Sequence, residues 1–192
     1  MGLKNTDTSY GHVAKAFHWI MFLMLAGMVI VGIYMHDLPS ETPEQASYKF
    51  GIYDMHKSFG LLVLILVALR LGWRMINPVP KMPDSMSRIE SLSAHSMHIL
   101  LYVLMFAQPI TGWLMSSYGG HAVKFFGLQV PAVVGKDKPM SDIMHEAHEV
   151  IALLLIISFV IHVAASLFHH FVRKDDVLVR MSLHPGKSDR SS

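Results

Sequence analysis

Histidine is the residue type to explain in this chain: thirteen occur among 192 residues, and cysteine does not occur at all. Without cysteine there are no disulfides, iron–sulfur clusters, thiolate zinc sites or covalently attached c-type haem. Imidazole is the abundant metal ligand that remains. The sharpest spacing is that of His148 and His162, 14 positions apart. At 100° per residue this is four helical turns less about 40°, so both rings leave nearly one face of a helix, about 21 Å apart along its axis. His145 lies 17 positions from His162 and points about 100° away, which makes it the poorer partner. His162 also sits inside an apolar run, where an ionisable side chain is costly and usually has a functional partner.

One metal centre in each leaflet follows from that spacing. A haem iron with two axial imidazoles takes one histidine from each of two facing helices at the same depth. At the inner level His18 can face His162, and at the outer level His56 can face His148. Gly60, four positions after His56, lets a flat macrocycle approach the backbone. His36, 18 positions from His18, is the alternative at the outer level, although Asp37-Leu38-Pro39 puts it past the span. His95 and His98 are alternative inner ligands or residues of the inner surface. His169, seven positions after His162, could line a quinone head-group site with His170 and Arg173, or serve as an interfacial residue. The string His145-Glu146-Ala147-His148 lacks the second histidine four residues after the first, so a zinc protease is not supported.

The elements that position these rings are apolar. Hydrophobic residues make up 52% of the chain and charged ones 16%, with a mean hydropathy of +0.40, more than an ordinary soluble domain carries. Four runs stand out, at 20–34, 59–73, 99–115 and 150–168. Arg70 interrupts the second, and Gln108 with Pro109 the third. A hydrocarbon core of about 30 Å needs roughly 20 helical residues. The reading is therefore an all-α integral membrane four-helix bundle, one domain over 1–192, with helices at about 16–36, 55–75, 92–117 and 142–170. The first run is read as a retained helix, because no A-x-A cleavage pattern follows it. Met1-Gly2 with Thr6 fits the loose myristoylation pattern, which a multi-pass protein does not need. Eleven Lys and Arg residues fall on the side of the N-terminal tail, the second connection and the C-terminal tail, where Lys187 and Arg190 are included, against five on the other side. Both termini are expected in the cytoplasm. The fifteen methionines are read as apolar filler, and 186–192 as a frayed polar tail.

On this layout the chain resembles the bacterial diheme cytochrome b561 family, and within it the small four-helix members described as superoxide oxidase. The resemblance rests on Phe17-His18-Trp19, Met55-His56-Lys57-Ser58-Phe59-Gly60, the prolines of the second connection, and Ala94-His95-Ser96-Met97-His98. It continues through Phe126-Gly127-Leu128 with Pro131, His148-Glu149, His162, His169-His170, Lys174-Asp175 and Leu178-Val179-Arg180-Met181. Lys57 departs from the family pattern. The resemblance implies two non-covalent, bis-histidine haem b groups, held by His18 with His162 and by His56 with His148. It also implies a place in the bacterial inner membrane and exchange of electrons with ubiquinone, the donor being superoxide at the outer side. Lys57, Lys124, Lys136 and Lys138, with Lys49, could attract that anion, or form a solvated face beside lipid head groups. The alternative function is a membrane subunit relaying electrons from a partner dehydrogenase or hydrogenase to quinone. A third reading is a cofactor-free transporter whose histidines are interfacial.

Overall fold

The computed structural model describes residues 2–83 and 86–182. Met1, Lys187, Arg190 and the tail at 186–192 therefore lie outside the described residues. Four long helices dominate: α1 (His12–Asp37), α2 (Pro43–Ile76), α3 (Arg88–Tyr118) and α4 (Lys138–Phe168). Each is long and apolar enough to cross a membrane. Few side chains of any helix are buried inside the protein, and large apolar residues such as Ile30, Leu69, Val103 and Val160 face outward. That arrangement suits lipid as the solvent. The chain is a membrane four-helix bundle.

The helices outrun the hydropathic signal because their ends are built from polar caps. Thr42 accepts from Gln45 N and Gln45 reaches back to Thr42 N, a capping box that starts α2 at Pro43, twelve residues before the apolar part. Ser87 and Glu90 form the same box at α3, and Asp137 caps α4. The last helix continues as a π-helical turn, His169–Arg173, closed by Lys174 in the left-handed region at φ 54°.

One end of the bundle, called inner after the expectation above, gathers the first and last described residues and the proline connection. Asn5 Nδ2 donates to Pro78 O (2.9 Å), Arg180 Nη1 to Lys81 O (2.6 Å) and Trp19 Nε1 to Met181 O (2.8 Å). The outer end carries one element not expected from the sequence, a hairpin of β1 (Val123–Phe125) and β2 (Leu128–Val130). Its two-residue turn has Phe126 at φ 48° and Gly127 at φ 94°, the pairing of positive φ values that twists a tight hairpin correctly. The hairpin is pinned to α2 by Ser58, 3% exposed, whose hydroxyl meets Lys124 O at 2.8 Å and accepts from Phe126 N at 3.2 Å.

The apolar core consists of Met21, Val67, Leu101, Leu104, Met105 and Leu155. Leu155 is seven residues from His148 and seven from His162, so this plug separates two histidine levels. The backbones of α1 and α2, α2 and α3, and α3 and α4 pack closely. Among the described residues, α1 and α4 do not, and neither do α2 and α4. Side chains bridge the first of those gaps.

Candidate functional site

The opening between α1 and α4 is filled by rings. Phe22 stacks on Phe159 at 5.3 Å, and His18 faces His162 with centroids 6.2 Å apart. Two imidazoles sharing one metal need centroids about 6 Å apart, from metal–nitrogen bonds of about 2 Å and ring radii of about 1 Å. His98 of α3 joins the same level, 5.3 Å from His162. His95, three residues earlier, is exposed. The inner level is thus three imidazoles from three helices, with Arg70 Nη2 3.2 Å from His18 Nδ1.

At the outer level His56 of α2 and His148 of α4 lie within electrostatic reach of each other. The tautomer of His148 follows from its partners. Nδ1–H donates to the carbonyl of Gln108 (2.9 Å) and is shared with Thr111 Oγ1 (3.2 Å). Nε2 is left as an acceptor and takes a hydrogen bond from Gln108 Nε2 at 3.0 Å. A ring whose Nδ1–H is held by a carbonyl and whose Nε2 offers a lone pair is prepared to bind a metal. His36 ends α1 exposed, and His145 pairs with Glu149 at 3.6 Å in solvent.

Buried polar atoms normally have partners. Among the described residues those without one are His56 Nδ1, Gln108 Oε1, Trp113 Nε1 and Ser117 Oγ in the outer half, and Trp73 Nε1 and Asn77 Oδ1 at the inner end of α2. Neutral imidazoles without thiolates, helix pairs held apart, and orphaned polar atoms in both halves fit b-type haem.

Near the outer surface the lysines are unequal. Lys57 and Lys124 both reach Asp54, at 3.1 and 3.8 Å, and Lys138 pairs with Asp142. Lys49 donates to Leu38 O at 2.6 Å. Lys136 makes no ion pair among the described residues. Its stem lies against Gly120, beside a cavity of about 300 Å³ lined also by His121, Gln129 and the unpaired Ser117. At the inner end, His169 Nδ1 meets Asp175 Oδ2 at 2.5 Å and Arg173 Nη2 meets Glu90 Oε1 at 2.8 Å.

A family model described as prokaryotic cytochrome b561 matches residues 9–182. The chain belongs to that family. Cytochrome b561 homolog 2 of Escherichia coli K12 is 34% identical over 186 residues, covering 94% of this chain and 95% of that one. Cytochrome b561 homolog 1 of the same organism is 29% identical over 168 residues, covering 85% and 91%. The probable superoxide oxidase CybB of Yersinia pestis is 27% identical over 172 residues, covering 90% and 94%.

As a cytochrome b561 the protein is a membrane electron-transfer protein of a family that binds b-type haem. The positions around His148 that sequence reasoning left unassigned are Gln108, Thr111 and Gly112. Their only sequence signal was the Gln108-Pro109 break in an apolar run. Pro109 and the back-bonding of Thr111 Oγ1 to Ala107 O and Gln108 O disturb the helix there, where the Gln108 carbonyl meets His148. A Cβ on Gly112 would stand 3.0 Å from His148 Cε1.

Proposed function

We propose that this cytochrome b561 oxidises superoxide to oxygen at the outer face of the bacterial inner membrane and delivers the electrons to ubiquinone, with both termini in the cytoplasm. The observation that carries this reading is the pair of histidine levels on α4: His162 faces His18 at 6.2 Å and His148 lies within electrostatic reach of His56, in each case across helices whose backbones stand apart. His18 with His162 and His56 with His148 would each hold one haem b, and the two groups supply one-electron transfer across the bilayer. Two superoxide anions give two oxygen molecules, and their two electrons with two protons convert one quinone to quinol. The protein's own residues bind, space and screen. His169, held by Asp175 at the inner end of α4, is the titratable pair we assign to proton delivery, and Arg173 flanks it. The 27% identical probable superoxide oxidase supports the choice of donor.

Rapid mixing of the purified protein with superoxide, with and without a quinone, tests the reading. Haem reduction within the mixing experiment, followed by reoxidation only when quinone is present, is expected. Inertness toward superoxide together with a co-purified dehydrogenase or hydrogenase would establish the relay reading instead. The lysines make a second prediction. A field that draws an anion weakens as salt rises, and among the described residues Lys136 has no carboxylate partner, whereas Lys57, Lys124 and Lys138 do. Lys136→Gln should slow superoxide oxidation roughly severalfold at low ionic strength and flatten its salt dependence. Lys138→Gln, which removes a charge already paired with Asp142, should change the rate little. Equal effects from the two variants would count against a local role for Lys136.

A further inference from the structure

Arg70 is a cation inside the bundle with no carboxylate partner among the described residues. It lies between Met21 Sδ (3.8 Å from Nη1), His18 Nδ1 (3.2 Å from Nη2) and the ring of Tyr102 (5.7 Å from Cζ). The Tyr10 phenol near it is pushed up by burial, against the opposing pull of Arg74, Arg70 and Arg180, and so stays neutral. A guanidinium cannot lose its proton in a protein, and a charge at membrane depth is kept for a reason. Its field reaches His18, His98 and His162 together.

The two histidine levels are therefore unlike in what stands behind the ring. At the outer level the Nδ1–H of His148 gives its hydrogen bond to the Gln108 carbonyl, which makes the imidazole a more electron-rich ligand. Lys57, the cation next in sequence to His56, is answered by Asp54. At the inner level the corresponding nitrogen of His18 lies 3.2 Å from a guanidinium; with a metal on Nε2 both groups would be donors, so Arg70 acts on that level through its positive charge and offers the ring no acceptor. Positive charge disfavours the ferric state relative to the ferrous one.

We propose that Arg70 makes the inner haem the easier of the two to reduce and so sets the direction of electron flow, from the outer level to the inner. The inference rests on the two-haem reading above. It assigns Arg70 a positioning and tuning role through its charge beside His18, not contact with a substrate.

Spectroelectrochemical titration of the intact purified protein tests it. The parent should titrate as two one-electron components, and the higher-potential one should be the component missing from His162→Ala and retained in His148→Ala. Arg70→Gln should lower that component by at least a tenfold change in its reduction equilibrium, which is about 59 mV for one electron. It should leave the other component in place. Arg70→Lys, which keeps the charge, should restore most of the shift. The assignment is overturned if the higher-potential component is the one missing from His148→Ala. It is equally overturned if Arg70→Gln keeps both haems and moves neither, the result expected where a haem carboxylate already cancels the guanidinium. Should Arg70→Gln fail to retain haem, the order of the two components in the parent and the ligand variants decides alone. A parent carrying fewer than two haems overturns the two-haem reading itself, and haem stoichiometry tells that failure apart from a wrong order.

Discussion

His162→Ala is expected to purify with half the haem of the parent protein, and His148→Ala with the other half. On the proposed ligation each substitution would remove one of two iron–imidazole bonds at its own level and leave the other level intact. The independence follows from the packing: Met21, Val67, Leu101, Leu104, Met105 and Leu155 form a closed apolar plug between the levels, so loss of one centre need not disorganise the other. His18→Ala should reproduce the loss seen in His162→Ala. His98→Ala should keep both haems, because His98 approaches His162 from α3, whose backbone packs closely on α4, and not across the α1 to α4 opening. If His98→Ala loses haem and His18→Ala does not, the inner pair is His98 with His162. His36→Ala and His145→Ala, both altering exposed rings, should change nothing. Haem per protein, measured spectroscopically on each purified variant, decides all of these.

The two levels were legible because a helix converts sequence spacing into direction. Fourteen residues on one apolar run define two depths on one face, and no packing detail changes that. The same arithmetic leaves His95 and His98 only about 60° apart, since three positions turn the ring by about 300°. It does not say which of the two faces inward; that depends on how α3 is rotated against α4. The lysines show the opposite limit. Asp54 with Lys57, and Lys138 with Asp142, are neighbours along one helix and readable at i,i+3 and i,i+4. That Lys124 also reaches Asp54 depends on the hairpin folding back onto Ser58, a contact over 66 positions. The hairpin itself has strands of three residues, too short for any alternation to stand out. Arg70 was visible only as an interruption of an apolar run, and its meaning appeared once His18, Met21 and Tyr102 were found around it and no carboxylate among the described residues.

Gly112 supplies the other large effect, and here two physical terms have opposite signs. In the middle of a helix, glycine is worse than alanine by roughly 0.5–1 kcal/mol, so on propensity alone Gly112→Ala should stabilise α3. The neighbouring ring argues the other way. An added Cβ would stand 3.0 Å from His148 Cε1 and 3.3 Å from Nδ1, tighter than carbon contacts normally are. The ring cannot yield freely, because its Nδ1 is fixed to the Gln108 carbonyl at 2.9 Å and to Thr111 at 3.2 Å. Moving it far enough to admit a methyl group weakens those bonds and turns Nε2 away from its direction. Gly112→Ala should therefore retain less of the outer haem, and Gly112→Val, with two more carbons at the same spot, should lose nearly all of it while the inner haem stays. Gly72 gives the comparison, since nothing lies within 4 Å of a Cβ placed there. Gly72→Ala should show the propensity gain with full haem content. If Gly112→Ala behaves like Gly72→Ala in both haem content and melting temperature, the glycine is not what lets His148 take its place.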